Sequence, residues 1–146
     1  MNTANGSNAN GSNATSSNNV IASLHWPLII GLGALALLRP VLRIVAEQLG
    51  VSVTPVVPIL ATLVISAVWI AVVGLSRVAH PLLTLVFTGL AYAVFAIVLS
   101  GVLSPILDGR LQGPLANPLA IVPMLATNAI WGLLAGALAL LVRRAR

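Results

Sequence analysis

Two carboxylates, Glu47 and Asp108, and two imidazoles, His25 and His80, are the whole stock of side chains that could trade protons below neutral pH in this 146-residue chain. General acid–base catalysis needs such groups within hydrogen-bond reach of a reacting atom and of each other. There is no Cys, which removes thiol nucleophiles, thiolate metal sites and disulfides together. No Ser-His-Asp set, phosphate-cradling glycine loop or HExxH motif is present. Neither His has a carboxylate or thiol beside it to complete three or four metal ligands. The expectation is a non-enzymatic protein with no cofactor and no metal.

The polar groups that remain lie within apolar sequence. Asn128 is the strongly polar one, and Thr62, Ser66, Thr84, Thr88 and Tyr92 fall at helical spacing on two other apolar runs. Together they could line a polar seam, since polar groups at depth in a bilayer often mark pathways. The plainer readings are interhelical glue for Asn128 and hydroxyls bonded to the preceding turn of their own helix. Gly132 and Gly136 make a GxxxG spacing, and Gly89 with Ala93, and Gly31, give further small-residue faces that let helix backbones approach closely. Arg39 and Arg43 beside an amphipathic stretch are candidates for an anionic lipid headgroup, against the simpler reading that they snorkel.

The elements that must position these groups follow from composition. Hydrophobic residues are 59% and charged residues 6%, where a soluble domain carries ~25% charged. A helix needs ~20 mostly apolar residues to cross a bilayer core of ~30 Å. Four stretches qualify, at about 20–38, 56–75, 81–103 and 118–142, with the charges at their ends or in the connections. Residues 41–49 read as a short amphipathic helix in the interface: Arg39, Arg43 and Glu47 share one face and Leu42, Val45 and Leu49 another. The first nineteen residues repeat as ANGSN, ANGSN, ATSSN and read as a disordered polar tail. Its Asn-x-Ser/Thr triplets at Asn5, Asn10 and Asn13 are expected by chance in so biased a segment.

Four spans put both termini and Arg77 on one side, and both carboxylates, in the two longer connections, on the other. The two His stand at the face opposite the carboxylates. Lys/Arg counts are four against three, which favours cytoplasmic termini in a cell membrane. The net charge of +5 is read as membrane orientation, because no basic stripe interleaved with aromatics points to nucleic acid.

A repeat at an offset of 65 residues is the most specific pattern. Val57-Pro58-Ile59-Leu60-Ala61-Thr62 stands against Val122-Pro123-Met124-Leu125-Ala126-Thr127, and Pro40 against Pro105. It implies two parallel two-helix repeats, about 20–77 and 80–146, related by an axis along the membrane normal. The same offset aligns Arg43 with Asp108, and predicts that these two, or Glu47 and Arg110, approach each other. The fold expected is an all-α integral membrane bundle of four helices with an interfacial helix after the first. The function expected first is a helix-packing partner or scaffold subunit, in a homo-oligomer or with other membrane subunits. The rival is a small transporter or channel for a neutral or apolar solute, using the seam around Asn128.

Overall fold

The computed structural model describes residues 19–52 and 54–146. They fold into helices, with no strand among the described residues. α1 is Trp26–Ala36, α2 Leu38–Gln48, α3 Val56–Leu75, α4 Pro81–Asp108 and α5 Ile121–Arg144, and short 3-10 turns at Gly113–Leu115 and Pro118–Ala120 lead into α5. Four helices are long and apolar enough to cross a membrane: Trp26–Gln48, which joins α1 and α2, Val56–Leu75, Pro81–Asp108 and Pro118–Arg144. The Asn/Ser-rich tail and its glycosylation triplets lie, but for Asn19, outside the described residues.

The first crossing differs from its expected bounds. A helical turn at 19–22 breaks at Ser23–His25, and α1 starts only at Trp26. There Pro27 is harmless, because a first-turn N–H has no helical partner to lose. Pro40 has the opposite effect. It cannot donate to the carbonyl of Ala36, and the ladder is interrupted at Leu37, whose φ of −64° and ψ of −16° keep the backbone right-handed between α1 and α2. At 11 residues, α1 alone is about 16 Å long, half of a ~30 Å core. The 23 residues from Trp26 to Gln48 give about 34 Å. Pro40, Arg43, Ile44 and Glu47 share a cleft with Ala96, Ser100, Leu103 and Asp108, which separates α2 from α4. The first apolar helix thus starts at Trp26 rather than near residue 20 and runs in two helical pieces to Gln48. Its second piece, α2, is amphipathic and buries no residue, and Arg39 is exposed near its start.

α4 also runs beyond the apolar stretch, through Pro105 to Asp108. The left-handed Gly109, φ 65°, ends it, a conformation that a side chain would strain.

The tightest contact is between α4 and α5, and glycine makes it. A Cβ on Gly89 would run into the backbone carbonyl of Asn128, and one on Gly132 into that of Leu85. Leu85, Val73 and Ala139 are fully buried in a core completed by Leu32, Ala36, Trp69, Val78 and Ala135. α1 packs on α4, where Gly33 lies against Ala91 and Tyr92, and α3 packs on α5, where Gly74 meets the Ala139 carbonyl. At that end Arg143 donates to the Val78 carbonyl at 2.8 Å, a stitch between the end of α5 and the turn before α4. α1 and α3 hardly touch, save that the Trp69 indole donates to the Leu32 carbonyl at 3.0 Å. A gap therefore opens between the first crossing and α3.

Candidate functional site

That gap holds a cavity of about 420 Å³. Its walls come from every crossing: Ala36 and Arg39 from the first, Thr62, Ile65, Ser66 and Trp69 from α3, Tyr92 from α4, and Met124, Thr127, Asn128 and Trp131 from α5. Helical spacing explains the α3 and α5 walls, since residues three, four and seven apart share a face. The volume lies within the ~300–1,000 Å³ common for ligand sites. Tyr92 and Arg39 also line a second hollow of about 880 Å³ between α2 and α3, with Arg43, Glu47, Ser52 and Thr54 on its wall. The two hollows meet at Arg39 and Tyr92.

Of the seam residues expected from sequence, Thr62, Ser66, Tyr92 and Asn128 border this one cavity. Thr84 and Thr88 do not. Both are buried between helices, and each hydroxyl donates at 2.8 Å to a carbonyl four residues back, of His80 and of Thr84. Thr62 spends its hydroxyl hydrogen likewise on the Pro58 carbonyl at 2.8 Å. Leu63, aligned with Asn128 by the offset, is 57% exposed and faces away.

The hydrogen-bond inventory defines what the cavity can offer. The Asn128 amide donates to the Met124 carbonyl of its own helix at 2.8 Å, so within this chain it links no two helices. The Trp131 indole donates to the Ser66 hydroxyl at 3.0 Å, which leaves the Ser66 hydrogen free to donate in turn. Among the described residues, the Tyr92 and Thr127 hydroxyls, the Asn128 carbonyl oxygen and the Arg39 guanidinium have no side-chain hydrogen bond within the protein. Arg43 does have a partner, Glu47 at 2.8 Å. The approach of Arg43 to Asp108, or of Glu47 to Arg110, is corrected accordingly. Arg43 and Asp108 border one cleft, but the ion pair forms along α2, where residues four apart are neighbours.

The packing faces also change role. Gly89, Gly132 and Gly136 are used between α4 and α5, and Ala93 is fully buried. Gly31 has open space around it, and Gly33 makes the close contact of α1 instead. Most of the small-residue surface read as available to a partner is consumed inside the chain.

Sequence reasoning missed Thr127, Trp131 and Arg39 as cavity residues. Trp131 was within reach, one turn along α5 from Asn128 on the same face. Arg39 was not, because its place on the cavity wall depends on the helix restarting after Leu37.

The class these features fit is a multi-pass helical membrane protein with a largely apolar cavity, edged by a few polar groups, between its long helices. Comparison with family models, with curated proteins and with solved structures finds no match.

Proposed function

We propose that this chain is a non-enzymatic membrane protein that binds a small solute between its crossings, as a transporter or channel does. One observation carries the reading: the gap between the first crossing and α3 forms a cavity of about 420 Å³, on whose wall the Tyr92 and Thr127 hydroxyls, the Asn128 carbonyl oxygen and the Arg39 guanidinium have no side-chain hydrogen bond among the described residues. Polar groups at membrane depth are costly to keep without a partner, and helix packing does not use these. The scaffold-subunit reading, first in order from the sequence, loses its main motive once Gly89, Gly132 and Gly136 are engaged within the chain.

The reading takes the cell membrane as its location, with cytoplasmic termini. Arg77, Arg143, Arg144 and Arg146 are at one end, and Arg39, Arg43 and Arg110 at the other, a bias of one residue towards cytoplasmic termini. The two-repeat reading belongs here too. Ser66 and Trp131, and likewise Gly74 and Ala139, are 65 residues apart and in contact, as equivalent positions beside a two-fold axis would be. Against it, α4 and α5 pack closely where α1 and α3 do not.

Native mass spectrometry after gentle detergent extraction tests the function. A monomer or small homo-oligomer carrying a small-molecule adduct, lost in Asn128→Trp, is the expected result. A stoichiometric protein partner with no adduct would return the scaffold reading.

A further inference from the structure

Arg39 decides the chemistry of what enters. It stands near the start of α2, where the two hollows meet, and lines both of them. A guanidinium cannot shed its proton to escape a low-dielectric setting, so its charge must be met by an anion or by water. Among the described residues no carboxylate pairs with Arg39, although Glu47 borders the second hollow. Glu47 is held by Arg43, and Asp108 borders the cleft between α2 and α4 rather than either hollow that Arg39 lines. The Arg43–Glu47 pair is neutral as a unit, which leaves one net positive charge where the two hollows meet.

The surrounding groups favour the same kind of ligand. Tyr92, Thr127 and Ser66 hydroxyls each have a hydrogen to give, and the Asn128 amide has a second N–H. Charge-assisted hydrogen bonds of this sort suit carboxylate or phosphate oxygens, and arginine matches both with its planar fork. Ala36, Ile65, Trp69, Met124 and Trp131 provide apolar wall beside these donors.

We propose that the cavity binds an anionic group, a phosphate or carboxylate, with Arg39 as its counter-ion, and that the group arrives by the hollow between α2 and α3. This rests on the solute-binding reading, and departs from the neutral or apolar solute expected from sequence. The same headgroup chemistry is carried by a free anion from the aqueous side and by an anionic lipid entering sideways through the gap between the first crossing and α3.

The test uses the full chain in phosphatidylcholine nanodiscs and reads the emission of Trp131 as the difference from Trp131→Phe. Four probes are added separately: inorganic phosphate, brominated phosphatidylglycerol, brominated phosphatidylcholine at the same mole fraction, and octanol. The proposal expects one of two results. Either brominated phosphatidylglycerol quenches Trp131 several-fold more than the zwitterionic lipid, or inorganic phosphate shifts its emission; the first assigns the anion to the bilayer and the second to water. In both cases Arg39→Gln weakens the effect about tenfold or more, as loss of a charged hydrogen bond should, and Arg39→Lys largely keeps it. If octanol perturbs Trp131 as strongly as either anion and Arg39→Gln changes nothing, the anion proposal is overturned and the solute-binding reading stands. If no probe reaches Trp131, both fall.

Discussion

The indole nitrogen of Trp131 on α5 lies 3.0 Å from the hydroxyl of Ser66 on α3, and this bond joins two helices that wall the cavity. Interhelical side-chain bonds in membranes average ~0.6 kcal/mol and reach ~1.7. A double-mutant cycle of Ser66→Ala and Trp131→Phe, followed by unfolding in mixed micelles, should give a coupling of about that size. Additive single effects would mean the bond does not form.

Glycine contacts set a second expectation. Gly89→Ala and Gly132→Ala drive a methyl group into backbone carbonyls, which cannot rotate away, so each should destabilise by at least the ~1–3 kcal/mol of an overpacked core. Gly31→Ala meets open space and should be neutral or stabilising by up to ~1 kcal/mol, because alanine is the better helix former. Thermal melting of the three variants in one detergent checks the contrast.

Asn128→Leu separates a cavity residue from glue. The Asn128 amide is bonded within α5, so the substitution should change unfolding free energy by less than about 1 kcal/mol. It should nevertheless abolish retention of any bound small molecule, read as loss of the adduct by native mass spectrometry. A large fall in stability would show that Asn128 holds helices together.

The Arg43–Glu47 pair is exposed on both sides and should contribute no more than ~0.3–0.5 kcal/mol. Glu47→Gln is therefore expected to leave the melting temperature almost unchanged. Exchanging the charges of Arg43 and Asp108 should show no rescue by the double exchange, since Arg43 already has its partner along the helix.

The four apolar helices were legible because hydrophobic length is a strong signal with a simple cause: lipid requires it. The break at Leu37 was harder to place. Pro40 marks an interruption, but sequence does not say how the helix restarts after it, and the place of Arg39 on the cavity wall depends on that. Thr62, Ser66, Tyr92 and Asn128 were recognisable as polar groups in apolar runs. Which of them share a cavity was not, because that depends on the rotation of each helix about its axis. Thr84 shows the difficulty: it lies on the same face of α4 as Tyr92 and yet is sealed between helices. The glycine faces were visible as motifs, whereas their partners within the chain required the packing of α4 on α5.

The absence of cysteine makes the most direct test free of background. Single cysteines at Thr62, Ser66 and Thr127, which line the cavity, and at Leu63 and Val64, which face outward, are exposed to a membrane-impermeant methanethiosulfonate in proteoliposomes. A cavity reached through the hollow between α2 and α3 predicts fast modification at the three lining positions and slow modification at the other two. Equal protection at all five would contradict a solute-accessible cavity and leave a packed polar seam in its place.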